Sequence, residues 1–409
     1  MHRILILDVA GSGHHPSYLR RILQSGILRV AHVIIAGPSS LIEHAELDDF
    51  RTQCDFYPLA ILPHEQHRLR DFSAKGLVLR EFTLRAIYGR TWRTLSRNGA
   101  FQLVLLPMLD GCVNAIALRG SPFGTTPWIS ITMRMQFHLR NMGVLAPSPS
   151  ARLLRQALFH HLLQQPTLQS LLTIDPTLAE YAAQSGRTEC GKVRYLPDTC
   201  NDYVLMDKAA AREQLHIPAD ATLILAYGAL NERKGIFALL QAMAQPACSK
   251  AVHLLLAGSQ DDGVKTILAG HLAAHLLAEG RLHLLPGYVP EEDVPALLSA
   301  SDALWIGYVD FYTMSNILVL AAHHNLPPIV SEQGIIGWLA RKHDFGLIVD
   351  PHSQGSILSA LRIVADDPAS LTDATRRAYT AFEAHNSASF QRTILDAVAF
   401  ALPASSEQA

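Results

Sequence analysis

The sequence is poor in cysteine, and its cysteines form no disulfide or metal-binding motif. Only five occur in 409 residues, an odd number, and no two form a CxxC pair. They are Cys54, Cys112, Cys190, Cys200 and Cys248. Scattered single cysteines argue against a disulfide framework and a zinc site, and they indicate reduced thiols in a cytoplasmic protein.

Long apolar runs are also missing. No stretch approaches the roughly 18 consecutive apolar residues that span a membrane. The first apolar run breaks at Gly11, which makes it too short for a signal peptide. We therefore expect a cytoplasmic protein whose contact with a membrane, at its inner face, is peripheral.

Charge is low in total and unevenly distributed. Charged residues make up 17% of the chain, and the formal net charge is -2. Residues 1–200 hold 21 of the 34 Lys and Arg and 14 of the 36 Asp and Glu, so this part carries +7 and the rest -9. A chain of 409 residues that is 49% hydrophobic exceeds what one core normally supports. We expect two domains, the first basic and the second acidic.

The positive charge is densest between Arg68 and Arg97, where basic residues alternate with Leu, Phe, Ile, Tyr and Trp. One interpretation is an amphipathic helix pair with a solvated arginine face. The other is a surface that rests on anionic lipid or receives an acidic acceptor. No nucleic-acid-binding signature accompanies the charge, so we expect no nucleic acid partner.

Short apolar, β-rich runs alternate with helical patterns along the whole chain, which is typical of parallel α/β layers. We predict an α/β fold with two Rossmann-like, doubly wound domains that face a cleft. The predicted strands of the first half are Ile4–Val9, Ala31–Ala36, Phe101–Pro107, Trp128–Thr132, Ser170–Asp175 and Lys192–Asp198. Those of the second half are Thr222–Gly228, Val252–Gly258, Arg281–Gly287, Ala303–Tyr308, Pro327–Ser331 and Gly346–Asp350.

The first strand leads into the loop "AGSGHHPSYL", which begins like a dinucleotide-binding turn. The third glycine of that motif is absent, because Pro16 stands in its place. The next strand ends in "GPSS" without the acid that would bind a ribose. These gaps argue against a nicotinamide or flavin site. What remains is a loop with bare amides at Gly11 and Gly13, two histidines, and a helix start that Pro16 favours.

The stretch "YGALNERKGIFALLQAM" carries the clearest chemistry. A strand ends at Gly228, a short loop holds Arg233 and Lys234, and Gly235 opens a helix. Arg233 can grip a diphosphate with two hydrogen bonds, while Lys234 acts as a point charge. The helix start adds partial positive charge. A solvated Arg–Lys pair beside a helix is the alternative for this motif taken alone.

Taken with four further segments, "YLPD", "LLLAGS", "LPGYVPEEDVPALLSASDALWIGYVD" and "NLPPIVSEQGIIGWLARKHDFGLIVDP", this motif resembles the family-4 retaining glycosyltransferases of the GT-B fold. The resemblance covers most of residues 195–350. It implies domains at 1–203 (acceptor side) and 204–385 (nucleotide-sugar donor side), with a helix over 386–409 returning to the first domain. No metal or other cofactor is implied, because the basic loop does the work of a divalent ion.

The resemblance also implies site residues. Arg233 and Lys234 would act in catalysis by stabilising the charge of the leaving nucleotide. The predicted donor-binding residues are Gly11, Gly13, Tyr288, Val289, Asp310, Ser315, Asn316 and Ile317. For two of them, Ser315 and Asn316, the alternative is that they cap the following helix without binding a ligand.

The chain departs from this family at two positions where glutamates are usual. Tyr312 and Leu320 stand there, and Asp310 is the nearest acid that can substitute. The usual catalytic histidine of the first domain is missing too, since Met133, Arg134 and Met135 follow "WISIT".

Candidates from the first domain lie where its predicted strands end. We predict that His14 and Asp110 act in catalysis, because histidine carries protons near pH 7 and a carboxylate can orient a hydroxyl. His15 and Arg134 are the predicted acceptor-binding residues. Asp110 alternatively turns its loop, and His15 before Pro16 alternatively supports the helix start.

The adjacent histidines His160–His161 and His323–His324 do not predict a metal site, because neighbouring helical side chains diverge by about 100°.

The resemblance implies a metal-independent, retaining hexosyltransferase, which we expect to act in polysaccharide biosynthesis. Its co-substrate would be a UDP- or GDP-linked sugar, and its acceptor a hydroxyl of a glycan or lipid-linked molecule. The alternatives are a catalytically silent GT-B subunit that binds a protein or glycan, and a nucleotide-sugar epimerase.

Overall fold

The computed structural model describes residues 2–11 and 13–403 of the chain. Within these residues the chain divides into two compact units. Unit 1 comprises residues 2–142, 148–197 and 387–403, and unit 2 comprises residues 143–147 and 198–386. The predicted acceptor and donor roles of the chain segments stay predictions.

Unit 1 is built on a seven-stranded parallel sheet with the order β3-β2-β1-β4-β5-β6-β7. The central strands are continuous apolar runs because both faces of a parallel sheet are covered by helices; β4, for example, is wholly buried. The strands are β1 (His2–Leu7), β2 (Ala31–Gly37), β3 (Asp55–Pro58), β4 (Leu103–Leu106), β5 (Trp128–Thr132), β6 (Leu168–Thr173) and β7 (Val193–Tyr195).

The helices of unit 1 pack around a core that includes the fully buried side chains of Trp128, Phe123 and Phe159. Pro16 at the start of α1 and the Asp175 carboxylate at the start of α8 fix where these helices begin. The helices are α1 (His15–Ile22), α2 (Leu28–Val30), α3 (Ser39–Ile42), α4 (Pro63–Leu69), α5 (Ala74–Ser96), α6 (Val113–Arg119), α7 (Arg152–Leu163) and α8 (Pro176–Gln184).

Unit 2 has a six-stranded parallel sheet with the order β10-β9-β8-β11-β12-β13. Its strands are again rich in Leu, Ile and Val, and β9 is buried along its whole length. The strands are β8 (Thr222–Tyr227), β9 (Val252–Gly258), β10 (Leu282–Pro286), β11 (Ala303–Ile306), β12 (Pro328–Ser331) and β13 (Leu347–Val349). The predicted α/β class with two Rossmann-like sheets is therefore confirmed.

The helices of unit 2 enclose a second core, which includes Trp305. They are α9 (Lys208–Gln214), α10 (Ile236–Met243), α11 (Asp262–Leu268), α12 (His271–Ala278), α13 (Val294–Ala300), α14 (Asn316–His323), α15 (Gly334–His343), α16 (Gln354–Asp366) and α17 (Thr372–Phe382).

The last helix, α18 (Ser387–Ala401), belongs to unit 1. Its Phe390 ring packs edge-on against Tyr18 of α1, and Leu395 lies beside Gly26. Residues 404–409, the end of the predicted C-terminal segment, lie outside the described residues. No helix among the described residues is long and apolar enough to cross a membrane.

Candidate functional site

In unit 2 the predicted cation loop lies at the carboxyl end of β8. Glu232, Arg233 and Lys234 form a single 3-10 turn, and Gly235 adopts a left-handed conformation (φ 69°) that opens α10. A side chain at Gly235 would meet the carbonyl oxygen of Gly307 at 2.4 Å, so only glycine allows α10 to start this close to β11. The Val309 amide also donates to the Arg233 carbonyl. The loop is thus fixed by its neighbours before any ligand binds.

Lys234 is held by an aromatic partner that the sequence analysis missed. Its Nζ donates to the Tyr308 hydroxyl at 2.6 Å and lies 4.4 Å from the centre of that ring. Arg233 is exposed. Among the described residues no carboxylate forms an ion pair with either cation. Two cations without counter-ions beside a helix start make a site suited to an anion.

Three glycines, Gly228, Gly258 and Gly287, lie at the ends of neighbouring strands. The Gly287 amide after β10 donates to the Gly258 carbonyl at the end of β9, and a side chain at Gly258 would collide with the Gly228 carbonyl after β8. The next residue, Tyr288, is 82% exposed, and Val289 is half-buried. This places a free aromatic face and the predicted base-binding segment at the same edge as the cations.

The start of α14 lies beside Gly228, since a side chain at that glycine would meet Ile317 at 3.8 Å. Ser315 occupies the N-cap position but its side chain makes no capping hydrogen bond. The alternative in which the Ser315 hydroxyl caps the helix is therefore wrong. Asn316 uses its side-chain amide to donate to the Thr199 carbonyl at 2.6 Å. The first-turn backbone amides of α14 are the groups left to meet an anion.

Asp310 follows β11 in a left-handed conformation (φ 51°), which is uncommon for a residue other than glycine. Its carboxylate accepts a hydrogen bond from the Tyr312 hydroxyl at 2.9 Å. Burial and this bond raise the pKa of Tyr312 to about 12. Leu320, by contrast, is buried in α14 and cannot replace a ribose-binding acid.

In unit 1 the predicted residues follow three strands that are neighbours in the sheet, β1, β4 and β5. Asp110, after β4, accepts hydrogen bonds from the Thr132 hydroxyl and from the backbone amides of Met133 and Arg134, at 2.7 to 3.0 Å. This carboxylate therefore joins the ends of β4 and β5. Its contacts favour a positioning role, and its predicted catalytic role stays a prediction.

His14 and His15 stack on each other with ring centres 5.2 Å apart. His14 is exposed in its loop, yet desolvation, followed by the charges of His15 and Arg134, lowers its pKa. His15 is held by Asp8, a buried acid that the sequence analysis did not single out, with Nδ1 2.8 Å from Oδ2. The predicted first strand, Ile4–Val9, included Asp8, whereas the observed β1 ends at Leu7 and leaves Asp8 at the carboxyl end of the strand.

The two loop glycines differ in their surroundings. A side chain at Gly11 would lie 2.7 Å from the Leu41 amide nitrogen, so Gly11 is required for packing against α3. Gly13 has φ 70° and open space around it. Of the two, Gly13 has the backbone that a ligand can approach.

The backbone amides at the start of α6 in unit 1 are already bound by a side chain of the same unit. The Glu81 carboxylate accepts hydrogen bonds from the backbone amides of Asn114 and Ala115 and from the Asn114 side chain. Burial raises the pKa of Glu81. An internal carboxylate thus takes the place of a ligand here.

The adjacent histidines point to separate structural partners. His160 lies 3.3 Å from the Tyr181 hydroxyl, and His323 Nε2 donates to the Phe382 carbonyl. In the part of the chain that the structure describes, no group of three or more His, Cys, Asp or Glu side chains is arranged to hold a metal.

Residues 207–381 match the family described as "Glycosyl transferases group 1". Unit 2 carries a glycosyltransferase group 1 domain. This confirms the predicted enzyme class, and the match covers less than half of the chain. No curated protein matches the sequence significantly.

Solved structures show the same fold over nearly the whole chain. Sucrose-phosphate synthase (tll1590) from Thermosynechococcus elongatus is 17% identical with a TM-score of 0.71, and 98% of each chain is covered. Anabaena Alr3699/HepE, solved with UDP and glucose, is 15% identical with a TM-score of 0.64, over 98% of this chain and 100% of that one. WaaG, a glycosyltransferase involved in lipopolysaccharide biosynthesis, is 14% identical with a TM-score of 0.63, over 96% and 98%.

Proposed function

We propose that this glycosyltransferase moves a hexosyl group from a nucleoside diphosphate donor to a hydroxyl of a glycan or lipid-linked acceptor, as in polysaccharide biosynthesis. The observation that carries the donor assignment is the pair Arg233 and Lys234, fixed beside the start of α10 without counter-ions. A uridine or guanosine nucleotide fits the exposed Tyr288 ring and the bare glycine backbone beside it. The solved HepE structures of similar fold contain UDP and UDP-glucose.

We propose further that transfer proceeds with retention and without a metal ion. As the sugar–phosphate bond breaks, negative charge develops on the diphosphate, and the cations Arg233 and Lys234 and a helix start stabilise it as a divalent ion would. Asp310, which accepts a hydrogen bond from Tyr312, is the acid nearest in sequence to the first of the two usual glutamate positions, and we assign it to the sugar hydroxyls. Ser315, Asn316 and Ile317 contribute backbone amides of α14.

The donor assignment is tested by thermal unfolding with UDP, GDP and ADP. A ligand at about 100 times its Kd stabilises the folded protein by about 2.7 kcal/mol, so one nucleotide should raise the Tm. The variant R233A/K234A should lose that shift. Arg376→Ala is the matched control, because Arg376 is an exposed arginine of unit 2 on α17. A nucleotide-induced rise in Tm that persists in R233A/K234A would overturn the assignment. So would the absence of any rise in Tm with all three nucleotides.

We propose that the acceptor side includes a peripheral contact with anionic lipid at the cytoplasmic face of a membrane. In the predicted basic stretch, Arg85 and Arg90 are used internally, on backbone carbonyls and on Glu65. The beginning of the stretch is different, because four large apolar side chains are exposed beside Arg68, Arg70 and Lys75. They are Phe72, just before α5, and Leu77, Val78 and Leu79 in its first turns. Apolar side chains flanked by cations suit an anionic lipid surface.

The membrane contact is tested by sedimentation with vesicles of phosphatidylcholine alone or with phosphatidylglycerol. We expect binding to the anionic vesicles, and its loss in F72S/V78S. The control V204S/L205S removes two exposed apolar side chains of unit 2 that lie between Asp202 and Asp207 in the sequence rather than between cations, and it should bind like the wild type. Equal binding by F72S/V78S and the wild type, or no binding by the wild type, would refute this contact.

One observation favours a second candidate, a GT-B subunit that binds a nucleotide or glycan without catalysis. The positions of the two usual glutamates are held by Tyr312 and the buried Leu320. A nucleotide-induced rise in Tm without release of UDP, GDP or ADP from the corresponding glucose donors would favour this candidate. Release of nucleotide in the presence of a donor would exclude it.

A further inference from the structure

A groove in the surface of unit 1 lies between α7 and Arg187, the residue that precedes the 3-10 turn Thr188–Lys192. Its volume is about 500 Å³, within the range of pockets that bind small molecules. We call this feature the α7 groove. The polar part of its lining comes from Gln156, His160, His161, Gln164 and Arg187.

The α7 groove lies toward the edge of the sheet opposite to Asp110. In a parallel sheet the connecting helix runs back from the carboxyl end of one strand to the amino end of the next. Helix α7 leads into β6 and α8 leads out of it, so the end of each helix lies toward the amino edge. His161 and Gln164 lie at the end of α7, and Arg187 lies just after α8. The groove is therefore separate from the carboxyl edge of unit 1 described above.

Hydrogen bonds between α7 and α8 hold the floor of the groove. Gln156 Nε2 donates to the Tyr181 hydroxyl at 2.8 Å, and His160 Nε2 lies 3.3 Å from the same oxygen. His160 is 6% exposed, so its ring lies at the bottom of the groove rather than at the rim. Groups that are fixed before a ligand arrives reduce the entropic cost of binding it.

The charge of Arg187 is balanced within unit 1. Its Nη1 lies 3.6 Å from Glu189 Oε1, and Arg187 is the one permanently charged side chain among the described residues that line the groove. Burial, followed by the charge of Arg187, lowers the pKa of His160, so this ring is neutral near pH 7. The attraction of a phosphate or carboxylate to Arg187 would be offset by repulsion from Glu189. A ligand without charge suits this lining better than an anion does.

The exposed amide and imidazole of the groove both donate and accept hydrogen bonds. Gln164 and His161 are exposed; a glutamine amide has two donor hydrogens and an acceptor oxygen, and a neutral imidazole has one donor and one acceptor. Leu153 and Ala157 add apolar surface, and Leu153 is 71% exposed. A sugar matches this combination, because its hydroxyls donate and accept while the C–H groups of its ring pack against apolar side chains.

We propose that the α7 groove is a carbohydrate-binding site, which holds a short stretch of a glycan through His161, Gln164 and the apolar surface beside them. This assignment goes beyond the proposed function, because the groove binds sugar without reacting with it. A glycan that is retained at such a second site has a higher effective concentration at the enzyme.

The binding test uses the full chain and saturation-transfer NMR, with glucose, galactose, mannose, N-acetylglucosamine, maltose and cellobiose as probes. We expect at least one of these sugars to bind the wild type. Ala157→Trp should abolish this binding, because Ala157 is exposed and lines the groove, so that a bulky side chain there fills it. H161A/Q164A should raise the Kd by about tenfold through the loss of two hydrogen bonds.

Two control variants should bind the sugar like the wild type. Q66A/H67A removes an exposed glutamine and an exposed histidine from α4 of the same unit. R233A/K234A changes the donor cations, which belong to unit 2. Urea unfolding of Ala157→Trp should match that of the wild type, which distinguishes a blocked groove from an unfolded one.

The carbohydrate assignment is overturned if none of the probes binds the wild type, or if Ala157→Trp or H161A/Q164A binds as tightly as the wild type. Loss of sugar binding in R233A/K234A would place the sugar in the donor site and overturn it too. Inorganic phosphate that binds in place of the sugars, and is displaced by Ala157→Trp, would identify an anion site instead. These results leave the donor assignment intact, which fails only through the nucleotide experiments above.

Discussion

The carboxyl edges of the two sheets differ in whether their charged side chains have partners within the protein. At the edge of unit 1 the carboxylates are satisfied internally: Asp8 by His15, Asp110 by the end of β5, and Glu81 by the start of α6. At the edge of unit 2 Arg233 and Lys234 have no counter-ion among the described residues, and Tyr288 is exposed.

This difference indicates what each edge can do. Unpaired cations attract an anion, so the edge of unit 2 is suited to hold a diphosphate. Internally paired carboxylates attract no ligand; at the edge of unit 1 they hold backbone amides and the His15 imidazole in place. The predictions below test this division, from the largest expected effect to the smallest.

Asp110→Ala should destabilise unit 1 strongly. Removing the carboxylate leaves two backbone amides and a hydroxyl without their acceptor, at a total cost of about 3 to 4 kcal/mol. Urea unfolding measures this free energy, and Asp110→Asn should recover part of it. If D110A unfolds like the wild type but releases no nucleotide from a donor, the predicted catalytic role is correct and the positioning role is wrong.

Acid should destabilise unit 2 through His385. Whereas His15 lies against a carboxylate, His385 lies against a backbone carbonyl. Its Nδ1 lies 2.9 Å from the Asp198 carbonyl oxygen, and burial lowers the pKa of His385 to about 4. The unfolded chain takes up this proton near pH 6.5, whereas the folded one does so only near pH 4. Stability should therefore be unaffected above pH 6.5 and fall by about 3 kcal/mol as the pH drops to 4.

Urea unfolding at several pH values measures this loss. The variant His385→Asn should show a shallower fall between pH 6.5 and pH 4. His352→Asn, which replaces an exposed histidine of unit 2, serves as the control and should keep the wild-type slope. An identical slope in wild type and His385→Asn would contradict the assignment.

The sequence predicts the sheets well because buried parallel strands are apolar along their whole length. It misses β3 (Asp55–Pro58), which has four residues, lies at the edge of the sheet and is partly exposed. The cation loop was predictable because Arg233, Lys234 and Gly235 are adjacent in the chain. Tyr308 was not, since it lies 74 residues beyond Lys234, and Glu81 reaches Asn114 across 33 residues. Pairings of this kind depend on strand order, which local patterns do not encode.

Tyr288→Ala should weaken nucleotide binding by about 1 to 2 kcal/mol, because an aromatic platform for the base is lost. Tyr288→Phe keeps the ring and should bind like the wild type. Calorimetric titration with the nucleotide that raises the Tm measures both. Equal affinity of Tyr288→Ala and wild type would show that the base binds elsewhere.

Tyr308→Phe should have the smallest effect. It removes one hydrogen bond to Lys234 Nζ but keeps the ring beneath the cation, so nucleotide affinity should fall by about 1 kcal/mol. The same titration measures it. A loss as large as that of Lys234→Ala would mean that the hydroxyl itself contacts the ligand.

Calorimetric titration of UDP into the wild type, R233A and D8N tests the division between the two edges most directly. R233A should bind UDP at least about tenfold more weakly, because a charged hydrogen bond contributes roughly 1.5 to 3 kcal/mol. D8N should bind within about threefold of the wild type, as expected for a change away from the ligand. Weak binding by D8N together with unchanged binding by R233A would contradict the account.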